Sequence, residues 1–187
     1  MGRTLMLSLD ETVDYFARHF TRTAFRLETL DRYDVESDGD EYRRYLAGED
    51  PEPGFKDQWL QLLRDEKAAG KRRHRVHVLR TPLNDYLRYE CEWGYAPNVA
   101  AGEDIRILDL SETPRPDEVP SEEFWLLDDA HVIVMHYDDG GAFIGGEPVD
   151  DPIPYRAARD AAIAASEDFT TWWARHPEEW RTNRMAA

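Results

Sequence analysis

Helical and extended patterns alternate from Lys56 to Trp173, and this alternation constrains the fold more than any other feature of the sequence. Apolar residues at helical spacing over residues 59–66 are followed by the alternation typical of a strand over residues 74–80. The same succession recurs further along the chain. Domains with this pattern bury the apolar faces of their helices against a sheet. We therefore predict an α/β fold in which helices flank a mixed β-sheet.

The other predicted elements complete this order. Thr23–Glu28 alternates as a half-buried strand, with Phe25 and Leu27 on one side and Arg26 and Glu28 on the other. Three consecutive strands that begin near Phe124 form a meander. The remaining predictions are a first helix capped by Asp10 or Thr12, a helix from Thr81 to about Gly94, a strand at residues 104–110, and one long closing helix from Asp150 or Asp151 to His176.

Composition predicts one domain over residues 1–187, with its core in residues 56–176. Hydrophobic residues make up 41% of the chain, which is enough for a sizeable core. Residues 31–55 are acidic and contain several Gly and Pro, so we expect loops there with one short helix near residues 42–46. No apolar run has membrane-spanning length and no secretory signal is visible, and the single Cys91 fits a reducing compartment. These features predict a cytoplasmic protein without a membrane partner.

The net charge of −16 argues against direct binding of DNA or RNA, because that affinity comes mainly from Lys and Arg on the phosphate backbone. Acidic residues are concentrated in residues 31–52 and 109–123, whereas residues 64–80 are basic. This asymmetry favours a basic protein partner at the acidic segments. The alternative is a solvated surface whose charge only keeps the protein soluble.

Two pairs of Arg and Glu are candidates for contacts with a small ligand. Arg26 with Glu28 and Arg88 with Glu90 combine a guanidinium with a carboxylate, which suits a zwitterionic or anionic ligand. Side chains two residues apart share a face on a strand but diverge on a helix. Structural ion pairs are the alternative interpretation. The other candidate ligand contacts are Tyr86, Glu103, Trp125 and Asp128.

No residue pattern predicts a metal ion or another cofactor. His74 and His77 lie three residues apart in a predicted strand and therefore face opposite sides of it. The segment Asp34-x-Glu36-x-Asp38 imitates the start of a calcium loop, but Tyr45 stands at the twelfth position, where a bidentate Glu is needed.

Residues 121–129 resemble the frame of a phospholipase D motif, in which a strand begins with His-x-Lys, continues through four mostly apolar residues and ends in Asp. Here Phe124–Leu127 are the apolar residues and Asp128 is the closing Asp, but Ser121 replaces the nucleophilic His and Glu123 replaces the Lys. Phosphoryl transfer then lacks both its nucleophile and its cation. We therefore expect no phosphodiesterase activity and no catalytic residue in this frame.

The order of elements over residues 56–176 also resembles one half of a phospholipase D-like domain, here in degenerate form. In that superfamily two halves pack about a two-fold axis. The resemblance therefore implies a homodimer.

The whole chain resembles an uncharacterised family of actinobacterial proteins, through residues 23–28, 85–90, 101–106 and 124–128. Members of that family are commonly encoded beside helix-turn-helix regulators of the repressor type. The resemblance implies a non-catalytic regulatory module that binds such a regulator and that a small ligand modulates.

Two alternatives stay open. One is a small-molecule sensor whose pocket contains Arg26, Glu28, Tyr86, Arg88 and Trp125. The other is a hydrolase of unknown substrate that uses Glu28, Glu90 or Glu103 as its general base.

Overall fold

Seven strands form one mixed sheet in the computed structural model, which describes residues 6–35 and 39–184. Glu36 and Asp38 of the calcium-like pattern lie outside the described residues. The strands are β1 (Thr23–Glu28), β2 (Arg72–Leu79), β3 (Asp104–Asp109), β4 (Glu123–Leu127), β5 (His131–Tyr137), β6 (Phe143–Val149) and β7 (Glu167–Asp168). Their spatial order is β6-β5-β4-β1-β2-β3-β7, with β1, β2 and β3 parallel and the other neighbours antiparallel. The predicted α/β class is confirmed.

Helices join the parallel strands and cover both faces of the sheet. They are α1 (Leu9–His19), α2 (Gly39–Leu46), α3 (Asp57–Ala68), α4 (Asp85–Tyr89), α5 (Ala96–Ala101), α6 (Ile153–Ala165), α7 (Phe169–Ala174) and α8 (Arg181–Arg184), with a π-helical segment at Glu90–Tyr95 and a 3-10 turn at Pro177–Glu179. The α2 and α3 helices connect β1 to β2, and the segment from α4 to α5 connects β2 to β3, as parallel pairing requires. Within the described ranges, no helix is both long enough and apolar enough to cross a membrane.

One face of the sheet is apolar and carries α6. Phe25 of β1 and Phe124 of β4 point to this face and pack in one cluster with Ala158 and Ala162 of α6. The two alanines lie one helical turn apart, so the helix presents small side chains to the large rings of the sheet.

The opposite face carries charged side chains at its centre. The parallel register of β1 and β2 pairs Arg26 with Arg75 and Glu28 with His77, which places these four side chains together. The crossover between β2 and β3 lies over them, and Arg26 and Glu28 are only 6% and 5% exposed. The prediction of a half-buried β1 is therefore wrong, because helices cover the strand on both sides.

The first and the closing helix both differ from their predictions. Ser8, and not Asp10 or Thr12, caps α1, because its hydroxyl accepts the Glu11 N–H while the Glu11 carboxylate accepts the Ser8 N–H. The closing helix is interrupted after residue 165, where residues 167–168 pair with the edge of β3 as β7 before α7 begins. Helical spacing on both sides of β7 conceals this break in the sequence.

The predicted meander is confirmed by β4, β5 and β6. Its second turn contains Gly141 at φ +85°, a left-handed conformation that favours glycine. A Cβ at this position lies 2.5 Å from the Arg32 carbonyl oxygen. The Gly141 carbonyl accepts the Asp34 N–H at 3.0 Å, so this turn holds the loop that follows β1.

Candidate functional site

The crossover from β2 to β3 is one helical segment with a wide turn in its middle. It begins after Asn84, whose side chain accepts a backbone N–H, rather than at Thr81 as predicted, and it continues to residue 101. Residues Glu90–Tyr95 are π-helical, and the Ala96 N–H donates to the carbonyl five residues before it. Pro97 has no N–H to donate to the carbonyl four residues back, which interrupts regular α-helical bonding here. Turns of this kind are frequent at functional sites.

A pocket of about 350 Å³ lies between this helical segment, the start of α3 and β2. Its volume is at the lower end of the range for small-molecule sites. Aromatic and polar side chains share its wall. The aromatic residues are Phe55, Trp59, Tyr86, Tyr89, Trp93 and Tyr95, and the polar ones are Lys56, Arg75, Glu90 and Asn98.

Arg75 is the charged floor of the pocket, and two buried carboxylates hold it. Its Nε and Nη2 atoms donate to Glu103 at 2.8 and 2.6 Å, and its Nη1 atom donates to the Glu28 oxygens at 3.0 and 3.1 Å. The Asn98 amide donates to the other Glu103 oxygen at 2.8 Å and accepts from the Trp59 indole at 3.2 Å. The guanidinium is therefore committed to ion pairs within the protein.

Both ring nitrogens of His77 lie within hydrogen-bonding distance of an oxygen atom. Its Nε2 atom lies 2.9 Å from the Leu30 carbonyl, which can only accept, and its Nδ1 atom lies 2.6 Å from the Tyr95 hydroxyl. That hydroxyl also donates to Glu28 at 2.8 Å. His77 is fully buried, and its Nδ1 atom lies 3.8 Å from the Glu28 carboxylate.

A second group of contacts extends this network along β1. The Nη2 atom of Arg26 lies 2.9 Å from Glu123 and 2.7 Å from the Tyr137 hydroxyl. The other Glu123 oxygen accepts the backbone N–H groups of residues 29–30 at 2.8 and 3.0 Å, and it accepts the Tyr33 hydroxyl. Two guanidinium groups, those of Arg26 and Arg75, and the His77 ring therefore face three carboxylates beneath the pocket, namely Glu28, Glu103 and Glu123.

Charge pairing keeps Glu28 ionised, while burial keeps the neighbouring phenols neutral. Burial alone raises the pKa of Glu28, but Arg75 and Arg26 outweigh it and lower the pKa to about 2. Burial, reinforced by the Glu28 charge, raises the pKa of Tyr33 and Tyr95 well above the usual range. A carboxylate with such a low pKa is a poor general base near neutral pH. Glu28 therefore fits a structural role.

Five of the predicted ligand contacts lie in this region. Tyr86 and Glu90 line the pocket itself. Arg26, Glu28 and Glu103 belong to the network beneath it and are 6%, 5% and 3% exposed. A ligand in the pocket therefore contacts the first two residues, whereas the other three stabilise the floor.

The other three predicted contacts lie elsewhere. Arg88 diverges from Glu90 on the helix and donates to Glu179 at 2.8 Å. Asp128 accepts the backbone N–H groups of residues 21–23, and against the effect of burial these bonds and the Thr21 hydroxyl lower its pKa to about 2. Trp125 lines a separate, mostly apolar groove of about 530 Å³ between α1, α3 and the sheet.

Sequence reasoning did not identify Arg75, Trp93 or Tyr95 as site residues. A signal for Arg75 is present, because Arg75 and His77 alternate along β2 and so share one face of the strand. No such signal exists for Trp93 and Tyr95, since the π-turn changes their direction relative to α-helical spacing.

A second polar cluster near the C-terminus brings Asp109, Glu112 and His176 together, with one oxygen or nitrogen atom of each within 4.8 Å of the others. Arg175 already pairs with both Glu112 oxygens, and Asp109 accepts hydrogen bonds from two neighbouring hydroxyl groups. His176 lies 3.2 Å from Glu112. A metal ion at this position must displace Arg175, so these contacts favour an ion-pair network.

Comparison with known families covers most of the chain. A model of the family described as Domain of unknown function (DUF6879) matches residues 10–174. The chain belongs to this family. The matched range of the DUF6879 domain contains all seven strands and every residue that lines the pocket. A search among curated proteins gives no match.

Proposed function

We propose that the DUF6879 domain is a non-catalytic regulatory module that binds a small organic molecule in the pocket beside its π-helical turn. The pocket itself carries this proposal, because six aromatic residues surround about 350 Å³ above a floor of buried ion pairs. Aromatic rings together with a few fixed polar groups are usual in a small-molecule site. The buried network supports the proposal by holding Arg75 and Tyr95 in place.

Hydrolysis with a carboxylate base is the weaker alternative. Glu28 and Glu103 are buried and paired with Arg75, so only Glu90 of the three candidate bases lines the pocket. Over residues 6–35 and 39–184, the residues that line the pocket include no Ser, Thr, Cys or His to act as a nucleophile or a proton carrier.

Filling the pocket tests the proposal. Gly94 lines the pocket, and a Cβ there lies 3.3 Å from the Glu90 side chain, so a Leu occupies part of the cavity. We expect a thermal-shift screen with amines, amino acids, nucleosides and carboxylic acids to give ligands that stabilise the wild type but not Gly94→Leu. Gly39→Leu is the matched control, because nothing lies within 4 Å of a Cβ at Gly39. Equal stabilisation of wild type and Gly94→Leu by every ligand refutes the proposal.

A second proposed function is binding of a basic protein partner at the acidic surface of residues 109–123. Asp117, Glu118 and Glu122 are exposed, and none of the three forms an ion pair within the part of the chain that the structure describes. The surface is smaller than the sequence predicts, because Asp109 and Glu123 are buried. A helix-turn-helix repressor is the partner that the family resemblance implies.

Charge reversal tests this second function. The test is a pull-down of the helix-turn-helix regulator that is expected to be encoded beside this protein. We expect its binding to weaken with rising salt and with the double change Glu118→Lys and Glu122→Lys. Glu178→Lys, on an exposed residue near the other polar cluster, is the control. Binding that ignores both the reversals and salt contradicts this function.

Four finer expectations stay predictions: the likeness to a phospholipase D half, the actinobacterial gene neighbourhood, the cytoplasmic location and the homodimer. Light scattering tests the last of these, and a mass near the 21.8 kDa of one chain contradicts it.

A further inference from the structure

We propose that the pocket recognises a ligand with an ammonium group, either an organic cation or a zwitterion. This inference rests on the proposed small-molecule function and names the chemistry of its ligand. Tyr86, Tyr89, Glu90 and Trp93 all line the pocket, at the spacing of one helical face. Three aromatic rings and a carboxylate on one wall form an arrangement that attracts a positively charged group.

The aromatic cluster around this wall already binds cations of the protein itself. The Arg181 guanidinium lies 5.0 Å from the ring centre of Tyr45 and 5.3 Å from that of Trp93. The Arg75 guanidinium lies 5.4 Å from the ring centre of Tyr95. These distances are within the range of a cation–π contact. Two rings of the pocket lining therefore show the interaction that an ammonium group needs.

The charges of the lining oppose an anion as the principal ligand. Arg75 is the only guanidinium among the lining residues that the structure describes, and Glu28 and Glu103 saturate it. The Lys56 amine donates to the Gly94 carbonyl at 3.1 Å and can also meet the carboxylate of a zwitterion. Glu90 supplies the negative charge next to the rings. The lining thus places a carboxylate beside aromatic rings, which suits an ammonium group, with Lys56 as a contact for an acidic tail.

Binding of choline, betaine and the neutral isostere 3,3-dimethylbutan-1-ol, measured by ligand-observed NMR, tests this inference. We expect choline or betaine to bind at least about tenfold more tightly than the alcohol, since a desolvated cation–π contact accounts for that ratio. Glu90→Gln is expected to weaken the binding of choline and betaine by about tenfold and to leave the affinity for the alcohol unchanged. Glu178→Gln is the matched control, because Glu178 is exposed and outside the pocket.

A second variant covers the case in which Glu90→Gln does not fold. Trp59→Leu removes a ring on α3, opposite the π-helical wall, and is expected to weaken choline more than the alcohol. Equal affinities for choline, betaine and the alcohol overturn the ammonium inference, and so does the absence of binding by both charged compounds.

Failure of the ammonium inference can be distinguished from failure of the proposed small-molecule function. If other ligands still depend on Gly94, the pocket function stands and only the ligand class is wrong. If no compound of any class distinguishes wild type from Gly94→Leu, the pocket function itself fails.

Discussion

Replacing Glu28 by Gln is expected to destabilise the protein by an amount that depends on pH. The change keeps the shape of the side chain and removes the charge that faces Arg75 and His77. The pKa of Glu28 falls from 4.5 to about 2 in the folded protein. Since one pKa unit corresponds to about 1.4 kcal/mol, the ionised carboxylate contributes about 3 kcal/mol to the free energy of unfolding at pH 7. Gln lacks this contribution.

The direction of the pH dependence follows from the lowered pKa. Stabilisation by Glu28 is complete above the unfolded pKa and is lost as the pH falls towards the folded pKa, because protonated Glu28 no longer attracts its cations. The difference in unfolding free energy between wild type and Glu28→Gln should therefore shrink by about 2 kcal/mol between pH 7 and pH 3.

Urea unfolding followed by tryptophan fluorescence at the two pH values measures this difference. Glu118→Gln is the matched control, because Glu118 is exposed, and it should differ from wild type by less than about 0.5 kcal/mol at both pH values. The account of the buried network is refuted if Glu28→Gln costs under about 1 kcal/mol at pH 7, or if its cost is the same at pH 3.

Three other predictions concern single positions. In the same urea assay, Gly141→Ala should cost more than about 1 kcal/mol, because its Cβ meets the Arg32 carbonyl at a positive φ, and an unchanged midpoint contradicts this. Asp128→Ala should cost about 1 kcal/mol, since the N–H groups of residues 21–23 lose their acceptor, and a neutral effect contradicts that role. Burial, reinforced by its acidic neighbours, raises the pKa of Cys91, so iodoacetamide should label it in urea and not in native protein, whereas equal labelling contradicts its burial.

Periodicity was sufficient to predict β1 to β6 but not the burial of their polar faces. Residues 23–28 alternate in the sequence and form β1 with the same bounds. Alternation cannot show that Arg26 and Glu28 are covered, because their partners come from distant parts of the chain, such as Glu123 for Arg26 and Arg75 for Glu28. A polar face on a strand is therefore expected to be exposed to solvent, unless the residues that cover it with complementary charges are also known.

The candidate site was predictable only in part, for a similar reason. Tyr86 and Glu90 stood out through their residue types, and both line the pocket. The pocket also depends on the π-turn, which rotates Trp93 and Tyr95 away from their α-helical directions. The closing helix is interrupted for a related reason. Its apolar spacing favours a continuous helix, but β7 pairs instead with the edge of β3, which otherwise lacks a partner strand.

The π-turn couples the pocket to the C-terminal segment, which gives ligand binding a route to a second surface. Trp93 lines the pocket on this turn and lies under Arg181, whose backbone N–H donates to Glu92 of the same turn at 2.6 Å. A ligand that moves the turn must therefore change the contacts of Arg181 as well. We expect hydrogen exchange of residues 177–184 to slow when a pocket ligand binds, while exchange in α6, on the opposite face of the sheet, stays constant. Exchange that is unchanged at residues 177–184 means that the pocket and the C-terminal segment are independent.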